Sequence, residues 1–376
     1  MDFLLSVSSY VLPFLVVLTV LVFVHELGHY AIARYNKVRV MVFSIGFGPE
    51  LFGWTDKSET RWKISAIPLG GYIKMFGEGE TEHPGGDVQP ISESEQKVSF
   101  AHKRLPQRVA IVFAGPLANF IFAIVMLSGL FSIIGQPFTP PTVASVQPGS
   151  AAEEAGIMAG DTIAQIDGRS IERFEEVQQI VSLSPAQLMT IIVRRGDSDV
   201  SLKVTPKLVE ETDRLGNVHR LGRLGVMGQG ADYLRHDPVT AVYQAGKETL
   251  FLTGGSLKVV GQMISGSRNT DELGGPIRIA QMSGEFAKVG LVPLIWFTAL
   301  LSINLGLINL FPIPMLDGGH LLFYAIEGIR GKPLGEKTQE MGFRIGLAFV
   351  FGLMIFVTIN DLVQLHFFEF VKELIS

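Results

Sequence analysis

The sequence contains no cysteine and few charged residues. None of its 376 residues is Cys, so disulfide scaffolds and cysteine-ligated zinc sites are excluded, and His, Asp or Glu must hold any metal. Only 18% of the residues are charged and 47% are hydrophobic, which is too apolar for an ordinary soluble enzyme. The net charge of -5 gives no case for nucleic-acid binding. The composition therefore predicts several membrane spans beside a water-facing part.

The first apolar run carries no charge from Phe3 to Val24 and ends in HELGH. It is long enough to cross the hydrocarbon core as a helix, and it has neither a basic leader nor a small-residue cleavage site, so we interpret it as a retained span. On a helix, His25 and His29 share one face and can hold one metal ion, with Glu26 adjacent. Zinc suits a two-imidazole site completed by a carboxylate and a water. Burying these residues in a bilayer is costly, which favours a functional site over a chance match.

A second group of polar residues lies at the end of the predicted third span, residues 289–320. Pro312 and Pro314 cannot continue a regular helix, and an interrupted membrane helix is tolerated where it lines a polar cavity. Asp317 follows this break and can reach a metal held by the first helix, and His320 is a rival third ligand. We favour Asp317 because two imidazoles and one carboxylate leave zinc a water-bearing position.

Three asparagines of the second and third predicted spans are candidates for a role at the site. The amides of Asn304 and Asn309 can donate to and accept from a peptide backbone, although such residues also join membrane helices to each other. Asn119, in the GPLANF segment of the second span, either supports the metal site or makes an interhelical hydrogen bond. The small residues of GPLANF predict close packing of that span against a neighbour.

Between the first two spans, residues 39–75 show a strand-like pattern around a polar turn. The pattern predicts a β-hairpin that dips toward the bilayer. Its exposed edge could pair with an extended peptide, or the hairpin could simply be a structural plug. The two interpretations are equally compatible with the spacing.

Residues 138–230 turn soluble in composition and resemble a PDZ domain of the permuted bacterial kind. The resemblance rests on the order of strand, short helix, the turn AGD, strand, the turn DGR and amphipathic helix, with GRLGVMG (Gly222–Gly228) as the last strand. PDZ domains bind peptides by adding a strand to a sheet edge. A steric filter or regulator is the alternative, and we favour it. Only one such unit is visible.

The predicted fold is thus a polytopic α-helical membrane protein with about four transmembrane helices, a membrane-associated β-hairpin and one α+β PDZ-like domain between the second and third spans. The predicted segments are helix 1 (1–34), a cytoplasmic region (35–108), helix 2 (109–135), the PDZ-like domain (138–230), a periplasmic amphipathic region (231–288), helix 3 (289–320) and helix 4 (342–365). Basic residues are concentrated in the first and third loops, which predicts that these loops are cytoplasmic. The PDZ-like domain and both termini are then periplasmic, and the metal site lies near the cytoplasmic side.

HELGH in the first span, the PDZ-like insert and NLFPIPMLDGG resemble, in this order, the site-2 protease family of intramembrane zinc metalloproteases, and most closely its regulator-of-sigma-E protease branch. The resemblance implies Zn²⁺ held by His25, His29 and Asp317, with Glu26 as the catalytic acid and base. It also implies that Asn304 and Asn309 engage the unwound substrate and that the hairpin pairs with it. Well-known members have two PDZ units where this chain has one.

The resemblance implies a bacterial inner-membrane endopeptidase that acts in regulated intramembrane proteolysis and the stress response. Its expected substrates are pre-cut single-span proteins of the anti-sigma factor type, and signal-peptide remnants are a further class. A peptide or regulator at the PDZ-like domain and the lipid bilayer are the other expected partners. The alternatives are a membrane metal transporter or sensor, and a catalytically silent PDZ scaffold.

Overall fold

A computed structural model of the chain describes residues 2–78, 92–212, 218–230, 232–266 and 274–364. Their helices are α1 (Asp2–Tyr35), α2 (Glu93–Gln96), α3 (Leu105–Ile133), α4 (Ala151–Glu154), α5 (Phe174–Ser182), α6 (Pro238–Ile264), α7 (Pro276–Val289), α8 (Leu291–Leu310), α9 (Asp317–Arg330) and α10 (Glu336–Gln364). Their strands are β1 (Val40–Thr55), β2 (Arg61–Met75), β3 (Gln136–Phe138), β4 (Val143–Val146), β5 (Thr162–Ile166), β6 (Arg169–Ser170), β7 (Met189–Arg195), β8 (Ser198–Val204), β9 (Lys207–Thr212), β10 (Val218–Arg223), β11 (Val226–Gly228) and β12 (Asp232–Leu234). Two compact units result: Met1–Met126 with Gly275–Thr358, and Leu127–Gly274 with Ile359–Ser376.

Four helices of the described residues are long and apolar enough to cross a membrane. They are Ser9–Tyr35, Leu105–Ile133, Leu291–Leu310 and Lys337–Val363. Each has 20 to 29 residues, against the roughly 20 that a hydrocarbon core requires. The number agrees with the four spans predicted from the sequence. The third span is shorter than predicted, because α8 ends at Leu310 and the chain resumes as a separate helix, α9, at Asp317.

The predicted hairpin is a more complex sheet than two paired strands. Both β1 and β2 bend, so that Phe43 pairs with Ile73 on one side and with Trp62 on the other, and Trp62 pairs in turn with Trp54. Glycines with positive φ make these bends possible, with φ of 88° at Gly46 and comparable values nearby. The strand pattern alone shows where residues alternate, and it does not show where a strand turns back on itself.

The first unit places this sheet against α1 and α3. Val38, Val40 and Met75 lie in one buried cluster with Ile111 and Val112 of α3. Helices α1 and α3 also approach closely at Gly28, where an added Cβ would lie 2.3 Å from the backbone oxygen of Ala114. The close packing predicted from the small residues of GPLANF is present.

The second unit contains the region predicted to be PDZ-like. Its four-stranded sheet has the order β6-β5-β7-β8, and β4 pairs antiparallel with β11. The short helix α4 and the amphipathic helix α5 cover a core of buried aliphatic residues that includes Ile163, Ile191 and Val193. Asp161 of the AGD turn accepts two hydrogen bonds from the Arg195 guanidinium, at 2.7 and 2.8 Å. This pairing lowers the pKa of the Asp161 carboxyl.

Two helices follow the PDZ-like region. Asp237 caps the N-terminus of α6 by accepting hydrogen bonds from the amides of Val239 and Thr240. Helix α7 was not predicted as a separate element. It begins at Pro276 and ends before Gly290, whose φ of 143° separates it from α8.

Candidate metal centre

Helix α1 brings His25 and His29 together in its C-terminal half. The two residues are one helical turn apart, and both are buried. Their rings lie edge to face with centroids 4.8 Å apart, and the two Nε2 atoms are 3.2 Å apart. Both Nε2 atoms therefore face the same point in space.

Asp317 completes this group from the other end of the chain. Its Oδ2 atom lies 3.1 Å from Nε2 of His25 and 3.4 Å from Nε2 of His29. Oδ2 is buried and accepts no well-directed hydrogen bond within the described part of the chain, although both imidazoles are near it. A buried carboxylate oxygen without a hydrogen-bond donor requires a positive charge, and a metal ion supplies one.

The LDGG sequence explains how the chain brings Asp317 to this place. The chain leaves α8 at Phe311 in an extended conformation, and Asp317 opens α9. An added Cβ at Gly318 would lie 2.1 Å from the backbone oxygen of Phe311, and one at Gly319 would lie 2.4 Å from that of Ile313. Only glycine fits at either position, so the first turn of α9 folds back against the interrupted segment. Met315 adopts the unusual φ of 90° within that segment.

The three ligand atoms fit zinc. Tetrahedral coordination with bonds of about 2.0 to 2.2 Å separates ligand atoms by about 3.3 to 3.6 Å, and the separations found here are within about 0.2 Å of that range. The three separations here are 3.1, 3.2 and 3.4 Å. Among the described residues, the only group of this kind consists of His25, His29 and Asp317. His320 is not part of it, and its ring lies 5.0 Å from that of Phe343.

Contacts on the far side of each imidazole orient the rings. Nδ1 of His29 lies 2.9 Å from the backbone oxygen of Ile111 on α3. Nδ1 of His25 faces the side-chain amide of Asn119, 3.2 Å away. A bound imidazole commonly uses its second nitrogen to donate to such an oxygen, which fixes the tautomer.

Gly115 makes room for His29, a role that sequence reasoning missed. An added Cβ at Gly115 would lie 2.2 Å from Nε2 of His29. The GPLANF motif contains the signal, since it carries a glycine at this place on a packed helix. The sequence shows that the helix packs closely, but it does not show which side chain lies against Gly115.

A cavity of about 240 Å³ opens on this group of residues. Its lining includes the three proposed metal ligands, together with Glu26, Asn309, and Tyr72 and Ile73 of β2. Glu26 lies close to β2, because an added Cβ at Gly71 would come 3.6 Å from the Glu26 Cγ atom. Asn304 is not among the residues that line the cavity, so the structure brings only one of the two predicted substrate-binding asparagines to it.

Tyr324 of α9 also lines the cavity. Burial raises the pKa of its phenol to about 12, so the phenol stays neutral. The Arg108 guanidinium lies over the Tyr324 ring, 4.9 Å from its centroid, and is paired with Glu327.

Comparison with known proteins gives a consistent match along the chain. The family described as peptidase family M50 matches residues 13–353. A protein of Agrobacterium fabrum, named as a candidate zinc metalloprotease, is 44% identical over 95% of this chain and 97% of its own length.

A more distant relative is the protease RseP of Yersinia pestis, which is 33% identical over 94% of this chain and 98% of its own length. That alignment runs over 454 positions, so the Yersinia protein contains segments that this chain of 376 residues lacks.

Among solved structures, a PDZ domain of an SdrC-like protein from Listeria monocytogenes matches 24% of the chain at 22% identity and a TM-score of 0.19, covering 88% of its own chain. A likeness at this level does not show a shared fold. The match to peptidase family M50 covers most of the chain, and the relatives cover nearly all of it. The chain therefore belongs to peptidase family M50, the site-2 protease family of zinc metalloproteases.

Proposed function

We propose that this multi-pass membrane metalloprotease cleaves the transmembrane segments of pre-cut single-span proteins, with anti-sigma factors as the expected type and signal-peptide remnants as a further class. The observation that carries the proposal is the position of the His25, His29 and Asp317 group. The first two lie on a helix long and apolar enough to span a bilayer, and Asp317 follows a third such helix. A peptide bond that reaches this group would lie at the depth of a membrane span.

The proposed chemistry divides between the metal and Glu26. His25, His29 and Asp317 would hold the zinc ion, which when bound would supply a Lewis acid that lowers the pKa of a water to about 7 and polarises the scissile carbonyl. Glu26 lines the same cavity, so its carboxylate can take the proton of the attacking water and pass it to the leaving amine. General acid–base catalysis of this kind contributes about 10² to 10⁴ in rate.

A helical substrate must unwind before its backbone can react, and β2 offers it new hydrogen bonds. Residues 71–75 of β2 pair with β1 on one side only. On the other side, the Met75 amide donates to the Glu78 carboxylate at 3.3 Å, and among the described residues no further strand pairs with this edge. An extended peptide added to this edge would run along the cavity and replace part of its own lost hydrogen bonds. This favours the substrate-pairing interpretation of the hairpin over a structural plug.

Asn309 is the better supported of the two proposed substrate-binding asparagines, because it lines the cavity. Its amide can donate to a carbonyl and accept from an N–H of an extended peptide. Asn304 lies more than one turn earlier on α8, and its proposed role would require a substrate that extends beyond the cavity.

The PDZ-like region is better suited to a filter or regulator than to a peptide receptor. Its peptide groove would lie between α5 and the segment Gly222–Gly228. An added Cβ at Gly222 would lie 2.2 Å from the backbone oxygen of Val181, and one at Gly228 would lie 2.9 Å from the Phe174 ring. The strand and helix are thus too close to admit a further strand without separation. A regulator that binds here would first have to open the groove.

The excess of basic residues in the first and third loops supports a cytoplasmic position for both loops. The PDZ-like region would then be periplasmic in the bacterial inner membrane, with the metal centre toward the cytoplasm. Cysteine substitution of Lys37, tested with a membrane-impermeant thiol reagent in intact cells, measures this orientation. The chain has no native cysteine to interfere. Labelling before lysis would contradict the proposed orientation.

Co-expression with a truncated single-span substrate tests the proposed function, with Glu26→Gln as the variant. Glu26→Gln should retain zinc and lose cleavage. Glu340→Gln is a matched control, because Glu340 is exposed and paired only with Arg344 among the contacts described for it. Cleavage that survives Glu26→Gln or zinc chelation would contradict the mechanism. Zinc binding without cleavage in the unchanged protein would favour the alternative of a metal transporter or sensor, or of a silent PDZ scaffold.

A further inference from the structure

A buried carboxamide lies beside the metal centre without a role in the proposed reaction. Asn119 of α3 is fully buried, and its Nδ2 atom lies 3.2 Å from Nδ1 of His25. Its Oδ1 atom is also buried and has no hydrogen-bond partner among the described residues. Buried amide oxygens are normally hydrogen-bonded, so in this orientation the oxygen of Asn119 is unsatisfied.

The chemistry of a zinc-bound imidazole indicates which end of the carboxamide should face His25. An imidazole that binds metal through Nε2 carries its hydrogen on Nδ1, and that hydrogen needs an acceptor. His29 has one in the backbone oxygen of Ile111, 2.9 Å from its Nδ1. For His25, the carboxamide of Asn119 is the contact found on the corresponding side of the ring. A half-turn of the carboxamide exchanges its oxygen and nitrogen without changing its shape, and the oxygen then faces Nδ1.

We propose that Asn119 is a positioning residue of the metal centre, whose carboxamide oxygen accepts the Nδ1 hydrogen of His25 and so keeps the Nε2 lone pair directed toward the metal. The inference rests on the proposed metal centre of His25, His29 and Asp317. It assigns Asn119 no contact with metal or substrate.

The surroundings of Asn119 hold it at a fixed distance from the ring. Its backbone oxygen accepts a hydrogen bond from the Ser302 hydroxyl of α8, at 2.8 Å. At the preceding residue, Ala118, α3 lies against α1, where an added Cβ at Gly28 would come 2.7 Å from Cβ of Ala118. This close approach of α1 and α3 beside Asn119 supports a fixed register between the carboxamide and the imidazole.

An amide that merely joined two helices would not need its oxygen at one particular end. Asn36 provides the comparison, since it is a second carboxamide that links the end of α1 to α3. Its Oδ1 accepts from Gln107 at 3.1 Å and its Nδ2 donates to Ile32 at 2.9 Å, so both ends are bonded. Asn119 has only one end bonded, and that end faces a proposed metal ligand.

The test compares Asn119→Leu, which removes the acceptor at similar volume, with Asn119→Asp, which keeps an acceptor oxygen in place. Asn36→Leu is the matched control. The readouts are the zinc dissociation constant of the purified full chain in detergent, by competition with a chromophoric chelator, and the visible spectrum of the Co²⁺-loaded protein. The thermal midpoint of the metal-free protein reports folding separately.

Asn119→Leu should weaken zinc binding about 10- to 100-fold and alter the Co²⁺ spectrum, as loss of a hydrogen-bond partner to a ligand does. Asn119→Asp should bind zinc at least as tightly as the unchanged protein, and Asn36→Leu should match it. Equal losses in the Leu and Asp variants would show that packing, and not the acceptor, matters, and would overturn the proposal. Unchanged zinc affinity in Asn119→Leu would also overturn the proposal. If Asn119→Leu does not fold, a tenfold loss of zinc affinity in Asn119→Asp would overturn it instead. If Asp317→Asn leaves zinc binding intact, the metal centre itself is wrong, which is a different result.

Discussion

Replacing Gly115 by alanine tests whether the packing of α3 shapes the metal centre. The added Cβ would lie 2.2 Å from Nε2 of His29, whereas carbon and nitrogen atoms in contact need about 3.5 Å. The ring must therefore move by about 1 Å, and metal–ligand distances tolerate only about 0.2 Å. We expect zinc affinity to fall at least as much as it does when a supporting hydrogen bond to a ligand is lost, about 10- to 100-fold.

The same change should not weaken the helix. Glycine to alanine in a helix interior gains about 1 kcal/mol of helix propensity, which offsets part of the roughly 1–3 kcal/mol cost of displacing a buried ring, so the metal-free protein should still fold with a thermal midpoint within a few degrees of the unchanged one. Gly129→Ala is the matched control, because an added Cβ at Gly129 of α3 meets nothing within 4 Å. Zinc content after dialysis against a weak chelator, measured by mass spectrometry, is the assay. Full zinc content in Gly115→Ala would refute the reasoning.

Three further predictions concern other parts of the chain. Asp317→Asn should abolish zinc retention. His320→Gln should change zinc retention by no more than about twofold, since His320 lies outside the ligand group. The zinc content of both purified variants checks these two outcomes. Asp161→Asn should lower the free energy of unfolding by about 2 kcal/mol at neutral pH, because the change removes the charge of a buried carboxylate that is paired with Arg195. Thermal unfolding of the protein in detergent measures this loss. The pKa of Asp161 is lower in the folded chain, so its contribution is present above the unfolded pKa of about 3.9 and is lost as the pH falls further. A difference between Asp161→Asn and the unchanged protein that grows on acidification would contradict this sign.

The sequence was most informative where chemistry depends on local spacing. The i, i+4 interval of His25 and His29 determines their shared helix face, and two prolines before Asp317 are enough to predict an interrupted helix. The choice of Asp317 over His320 came from coordination chemistry. The geometry now supports it, because only the carboxylate lies within 3.4 Å of both imidazoles.

The remaining features depend on contacts between distant segments, which one sequence does not display. In the sequence, Gly115 and Gly28 are small residues within predicted spans. Only the fold shows which atoms pack against them. The bent strands of the sheet arise from glycine conformations such as that of Gly46, since strand periodicity is the same before and after a bend. Helix α7 was missed because its polar and apolar residues resemble a connecting segment, and Gly290 separates it from the span that follows.

The central claim is that one zinc ion binds His25, His29 and Asp317. An anomalous difference map collected at the zinc edge from crystals of the full chain tests it most directly. The account predicts a single peak about 2.0 to 2.2 Å from Nε2 of both imidazoles and from the Asp317 carboxylate. A zinc peak bound by His320 in place of Asp317, or one away from both imidazoles, would contradict it.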